Sequence, residues 1–393
     1  MTLATAPDRE ESVNEPISQT LLDDITRRLA ATAEDYDRSS EFPRANFDYL
    51  AAQGLIGLTV ARRYGGRGAG YAEAIRVLGA VAKGEPSTAL ILFMTYAHHA
   101  QPERLTRWPP HLYEKLAREA ACGRGLIGFF RVEPELGTPV RGGMPKTIAR
   151  RTADGWSISG TKIYATGSTG LDWYAVYAMT DEEEPRTGVF LVGSDRPGIS
   201  IEPEWDHFGM RATVSHRVVF DETQIPLDHA VDVRKPNEWV FGVDDKSLAV
   251  WNSLAISTIY DGVAQAARDW LCTYLKERVP TNLGASLATL PRVQEKFGEI
   301  EALLQVNRTL LETAAQKADN GEALSLVFLN IVKYTATSNA IRAVQIGLEL
   351  TGNPGLTRKN PLERHYRDVM CSRIHSPQDD TILVGAGRAG FGL

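Results

Sequence analysis

The feature that most constrains this chain is that its hydrophobic period changes twice. From Ile17 to Ala121 apolar residues recur every three or four positions, first in "LLDDITRRLAATAEDYD" and then in "ANFDYLAAQGLIGL", until Gly54 and Gly57 interrupt the pattern. Such spacing puts the apolar side chains on one face of a helix. "RRYGGRGAG" crowds glycines into a turn before a further helix, "YAEAIRVLGAVAKG", and "STALILFMTYAHHA" is apolar enough all round to predict a buried helix. Around Gly125 the period drops to two. "TADGWSISGTKIYATG" alternates, with Asp154-Gly155 placed as a hairpin turn, and "LDWYAVYAMT", "TGVFLVG" and "HRVVFDETQIP" follow as short strands between turns. After Asp244 the helical period returns in three segments long enough for bundle helices. The order predicts an α+β chain with a disordered start (1–16), an N-terminal helical domain (17–124), a middle β domain (125–235) and a C-terminal helical bundle (236–393).

Composition narrows the function classes. The 393 residues are 43% hydrophobic and 23% charged, ordinary for a globular protein, and the formal net charge is −6. A dedicated nucleic-acid binder presents a basic face, so that class is disfavoured. Cys122, Cys272 and Cys371 have no paired spacing; this predicts no disulfide framework, no metal site and a reducing compartment, the cytoplasm. The first residues lack the basic start and apolar run of a signal peptide, and no run of about 18 apolar residues occurs. A soluble protein is expected, with a frayed N-terminus.

Several local motifs, in this order, carry a resemblance over nearly the whole chain. They are "ARRYGGRGAG", "VEPELGT", "GWSISGTKIYATG", "FGMRATVSHRVVFDETQIP" and "NPLERHYRD". Each is weak alone; together they resemble the acyl-CoA dehydrogenase superfamily. The resemblance implies a middle β-barrel or sandwich domain, a C-terminal four-helix bundle, a bound flavin and a homotetramer. It also implies roles for particular residues. Val132 and Thr138 would lie along the flavin's polar edge or phosphates, and Tyr164 and Thr166 would contact the ring. Gly137, Thr138, Gly167 and Ser168 are small enough to let main chain approach a cofactor whose reduction builds negative charge. Arg278 and the loop "TGNPG", with Gly352 and Asn353, take the places of the family's pyrophosphate-binding arginine and glycine-rich loop, which act across a subunit interface. Gln378 and Asp380 in the final segment complete the cofactor-binding set.

The sequence also departs from the family. Val279-Pro280 replaces a Phe-Gly pair, and Glu349 stands where a glutamine is usual, placing an anion toward phosphates. FAD is therefore expected, with FMN or transiently bound reduced flavin as alternatives. The larger departure concerns the proton acceptor. Desaturation of an acyl thioester needs a carboxylate near the α carbon. In "RDVMCSRIHSPQDD" the gapless match to the usual glutamate is Ser376, and the family's second location gives Asn252. Neither accepts a proton at neutral pH.

His375, one residue earlier, remains as acid or base, since an imidazole titrates near neutrality; alternatively it only hydrogen-bonds at a helix end. Asp379 and Asp380 could orient it or cap the next helix. "IHSP" resembles a segment of the dibenzothiophene monooxygenase branch, where a histidine helps form and keep a flavin hydroperoxide made from reduced flavin and dioxygen. "ALILFMTYAHHA" could line the dry pocket such chemistry needs, with at most one of His98 and His99 reaching it. Three functions follow, differing in class. The favoured one is a two-component monooxygenase fed by a flavin reductase and acting on a small organic substrate. The second is an FAD-dependent acyl-CoA dehydrogenase with a non-standard base, passing electrons to an electron-transfer flavoprotein. The third is a non-catalytic flavin-binding interaction protein.

Overall fold

The structure is a computed structural model that describes residues 16–100, 107–135, 143–235, 238 and 246–393. Among the described residues the N-terminal region holds six α-helices: α1 (Gln19–Ala30), α2 (Ala33–Ser39), α3 (Arg44–Ala52), α4 (Tyr71–Gly84), α5 (Pro86–His99) and α6 (Pro110–Ala121). Local chemistry sets their ends. Ser18 caps α1 by accepting the Leu21 amide, and Glu85 caps α5 by accepting the amides of Ser87 and Thr88 just before Pro86. Every residue of α5 is buried, as its uniformly apolar sequence predicts.

The middle layer is one eight-stranded mixed sheet. Its strands are β1 (Ile127–Phe130), β2 (Ile148–Arg151), β3 (Gly155–Lys162), β4 (Trp173–Thr180), β5 (Thr187–Gly193), β6 (Ile199–Glu202), β7 (Arg217–Pro226) and β8 (Ala230–Arg234). They run β6-β7-β3-β2-β4-β5-β8, and β1 pairs in parallel with β4. The β2–β3 hairpin differs from the sequence expectation in one detail: Gly155 is the first residue of β3, not part of the turn, and pairs with Pro226 of β7. A Cβ there would stand 2.0 Å from the Ile225 carbonyl oxygen, so close strand approach is what requires the glycine.

The C-terminal layer is a bundle of α7 (Lys246–Glu277), α8 (Pro291–Asp319), α9 (Leu326–Thr351) and α11 (Leu362–Met370), with a short α10 (Asn353–Leu356) and a terminal α12 (Asp379–Phe391). Helices α7 and α9 run in the same direction: Ser253 donates to the Leu329 carbonyl near their starts, and Gly347 faces Leu271 near their ends. One junction ties the three layers together. Arg367 of α11 makes a two-pronged ion pair with Asp37 of α2 at 2.7 and 2.8 Å and donates to the Phe208 carbonyl of the middle layer. Its neighbour Asp368 accepts the Met210 amide at 2.6 Å. This geometry fixes the loop 205–216 against the bundle.

Candidate active site

Two segments converge beside that loop. The first is the end of β1 with the turn after β3. The Val132 carbonyl accepts the Ile163 amide at 3.0 Å, which lays "RVEPE" beside "IYATGS". A buried network holds the pair in register. Lys162 and Glu133, both at 0% exposure, meet at 2.6 Å. Glu133 also accepts from the Thr147 amide and hydroxyl and from the Lys146 amide, while Lys162 donates to the Tyr177 carbonyl. Burial pushes the Lys162 ammonium down to about 8, against the opposing pull of Glu133. Glu133 keeps its charge because Lys162 and the surrounding donors outweigh its own burial and hold its pKa below the usual value.

Beyond this staple the turn presents a cluster suited to a planar cofactor. Tyr164 sits in the left-handed region (φ 53°) with its ring 54% exposed, edge-on to Trp205 and His207, whose rings stack at 3.5 Å. Thr166, Ser215 and Thr213 form a chain of hydroxyls with contacts of 3.1 and 2.8 Å. Gly167 donates its amide to the Thr213 carbonyl, and the Ser168 hydroxyl donates to Val214. Exposed aromatic faces, hydroxyl donors and small residues in one turn fit an isoalloxazine ring. Val132, Tyr164 and Thr166 are thus brought together. Gly137 and Thr138 lie outside the described residues.

The second segment is the turn between α11 and α12, and it holds the residues that sequence reasoning singled out least completely. His375 follows a single 3-10 turn, Cys371–Ile374. Its Nε2 lies 2.6 Å from the hydroxyl of Tyr260, a fully buried residue of α7. Lys333 of α9, 1% exposed, donates to the carbonyls of both His375 and Pro377 at 2.9 and 2.8 Å and stands 3.8 Å from Asp379. Burial pushes the His375 imidazole down to about 4, and the Lys333 ammonium adds to the effect; the ring is neutral at pH 7. Ser376 sits half-buried between the two carbonyls that Lys333 holds.

Asn252 does not join this group. It lies eight residues before Tyr260 on α7, about 12 Å along the axis, and its side chain has no hydrogen-bond partner among the described residues. The capping expected of the acidic pair is also corrected. Gln378, half-buried, is the N-cap of α12 without a side-chain cap bond; Asp379 faces Lys333, and exposed Asp380 accepts the amide of Thr381.

The remaining predicted residues cluster elsewhere. Because α7 and α9 run parallel, Arg278, Gly352 and Asn353 come to the same end of the bundle, all exposed. Gly352 has φ 61°, which suits a residue without Cβ. Glu349 is not a free anion there, since Arg342 pairs with it at 2.8 Å. His98 stacks on Phe129 of β1 at 3.9 Å and contacts the Met94 carbonyl, so it packs against the strand that leads into Val132. His99 is buried against Tyr113, with burial pushing it down to about 4. Among the described residues no group of three His, Cys, Asp or Glu could hold a metal ion, and no helix is long and apolar enough to cross a membrane.

An aromatic and hydroxyl cradle on a mixed sheet, beside N- and C-terminal helices that pack directly on each other, fits a flavin-dependent oxidoreductase. Comparison with known proteins agrees with that class. The family patterns described as acyl-CoA dehydrogenase N-terminal, middle and C-terminal domains match residues 14–113, 128–223 and 251–376, so the chain belongs to the acyl-CoA dehydrogenase family. It is 31% identical over 367 residues to the Bacillus subtilis (strain 168) protein YdbM, which carries an acyl-CoA dehydrogenase name, covering 91% of this chain and 92% of that one. Among solved structures it is similar to KijD3 in complex with FMN and a dTDP-linked amino keto sugar, with a TM-score of 0.81, 26% identity, and 97% and 96% of the two chains covered. FMN-bound TdsC from Paenibacillus sp. A11-2 shares the fold, with a TM-score of 0.84 at 21% identity over 95% and 96% of the chains. The chain is therefore an enzyme, and the non-catalytic function is not retained.

Proposed function

We propose that this enzyme is a two-component monooxygenase that takes reduced flavin from a separate reductase and oxygenates a small organic substrate. Reduced flavin, when bound, supplies the electrons that activate dioxygen. The observation that carries the proposal is the state of the α11–α12 turn. Where a dehydrogenase needs a free carboxylate, this chain has Ser376, and the adjacent His375 is neutral with Nε2 engaged by Tyr260. Of the nearby carboxylates, Asp368 accepts the Met210 amide, and Asp379 stands 3.8 Å from the Lys333 ammonium, outside hydrogen-bond distance. A site built this way holds a neutral histidine and a serine, neither of which removes an α proton, at and beside the position where the family's glutamate stands. KijD3, a similar structure, binds FMN together with a dTDP-linked amino keto sugar, which supports a flavin enzyme whose substrate is not a thioester.

The second function, thioester dehydrogenation, draws on the family match and on the intact Glu133–Lys162 staple under "VEPELGT". Anaerobic mixing of the oxidised flavoprotein with short- and medium-chain acyl-CoA thioesters separates the two. No bleaching of the flavin band is expected, and rapid bleaching would establish dehydrogenation. Ser376→Glu then reports whether a thioester reaches the pocket at all.

The assembly belongs to the same proposal. Leu383, Val384 and Phe391 of α12 are 50%, 63% and 83% exposed, an apolar surface suited to subunit packing in a homotetramer. Arg278, exposed at the bundle end, is then the candidate for a cofactor phosphate across the interface, and Arg278→Ala is expected to weaken FAD binding far more than FMN binding. A cytoplasmic location fits three cysteines that are all free.

A further inference from the structure

The α11–α12 turn allows a sharper statement about His375. We infer that Tyr260 and Lys333 are positioning residues that lock the His375 ring as its Nδ1–H tautomer, making it a fixed hydrogen-bond donor to an oxygen atom in the active site. This rests on the proposed oxygenation only for the identity of that oxygen.

The tautomer follows from counting donors and acceptors. The Tyr260 hydroxyl is enclosed, and its hydrogen-bond partner among the described residues is His375 Nε2, at 2.6 Å. A buried O–H must place its proton, because an orphaned donor costs about 1–3 kcal/mol. A phenol is a much stronger acid than a neutral imidazole N–H, and an imidazole nitrogen is a better acceptor than a phenol oxygen. The bond therefore runs from Tyr260 Oη–H to His375 Nε2. A neutral imidazole carries one N–H, and with Nε2 accepting, the proton sits on Nδ1. No residue among those described takes a hydrogen bond from Nδ1, and the half-buried ring is not sealed off.

Lys333 supplies the rest of the lock. An ammonium has three donors and no acceptor. Two go to the carbonyls on either side of Ser376, so the backbone that carries the imidazole is clamped from α9. Its charge, only partly offset by Asp379 at 3.8 Å, opposes a second proton on the ring. With the Nε2 lone pair occupied and Nδ1 protonated, His375 can donate from Nδ1 and has no free lone pair for proton abstraction. A histidine read from sequence as an acid or base is thus wired as a donor.

The test is the ring-nitrogen NMR spectrum of the flavin-loaded, full-length protein labelled with 15N-histidine, with the His375 signals assigned by their loss in His375→Gln. The expected result at pH 7 is a protonated Nδ1 and an unprotonated, hydrogen-bonded Nε2, replaced in Tyr260→Phe by a mixture of tautomers or by Nε2–H. An Nε2–H ring or an imidazolium in the wild type would overturn the inference, as would a Tyr260→Phe spectrum identical to wild type. The wild-type spectrum decides the first point even if Tyr260→Phe fails to fold. Turnover does not enter: a protein that desaturates thioesters yet shows the Nδ1–H ring would sink the oxygenation proposal and leave the tautomer lock standing.

Discussion

Two lysines, each almost without solvent contact, sit on either side of this site, and they serve different ends. Lys162 is matched by Glu133, and every charge in that cluster has its donors and acceptors in place. Lys333 has no carboxylate within hydrogen-bond distance among the described residues; it spends its donors on two main-chain carbonyls and keeps much of its field. A buried cation with a partner is scaffold, holding the segment after β1 against the end of β3 beneath the candidate cradle. One aimed at carbonyls instead holds a turn in shape and biases the ionisation of the histidine on it. The contrast shows how one element, a buried ammonium, builds a wall in one place and sets a protonation state in another.

The largest effect is expected at Lys162. Lys162→Met strands the Glu133 charge in a dry interior and is expected to cost about 3–5 kcal/mol of stability, with loss of flavin. Chemical denaturation with a flavin-release readout checks this, and a variant as stable as wild type would mean that the pair is not the staple.

Next in size is a pH effect confined to the Lys333 side. The folded pKa of His375, about 4, lies below its ordinary 6.5, so the folded state favours the neutral ring. That contribution is fully present above pH 6.5 and is lost as the pH falls through 4. It amounts to at most about 3 kcal/mol. Lys333→Met should narrow the window by raising the folded value, making the acid limb of its stability curve shallower than that of wild type. The difference between the two curves matters, because buried His99 and His365 contribute to the acid limb with the same sign and Asp368, pushed up to about 7 by burial, with the opposite one.

At neutral pH Lys333→Met leaves two carbonyls unpaired, for an expected loss of about 1–3 kcal/mol, less than at Lys162 because the nearest carboxylate, Asp379, is 22% exposed and keeps contact with water. Equal losses at the two sites would erase the distinction. Smallest is Glu349→Gln, which breaks an exposed ion pair with Arg342 and should move stability by no more than about 1 kcal/mol.

The fold was legible in the sequence because periodicity reports directly on which faces are buried. The buried α5, the strands β4, β5 and β7, and the return of long helices all follow from spacing alone. The site was only half legible. His375 and Ser376 could be found by counting from "RDVMCSRIHSP", but Tyr260 lies 115 positions away on another helix, and no local pattern links them. Lys333 did leave a signal, as the one charge in the apolar run "SLVFLNIVKYTATSNAIRAV" before Arg342. A lone cation on a buried helix needs a polar partner, but the sequence does not say which. The same holds for Glu133 and Lys162, whose positions inside the quoted motifs gave no hint that they meet. The family resemblance names Asn252 by alignment, and it lies two turns before Tyr260 on the same helix.

The most direct test of the central claim is the reaction of the reduced flavoprotein with dioxygen. The protein, loaded with flavin and photoreduced without air, is mixed with oxygenated buffer in a stopped-flow instrument while the flavin absorbance is followed. A distinct absorbing species is expected to persist for seconds or longer in the wild type and to decay much faster in His375→Ala. Direct, featureless return of the oxidised flavin in both proteins would contradict the claim and identify a dehydrogenase that passes its electrons elsewhere.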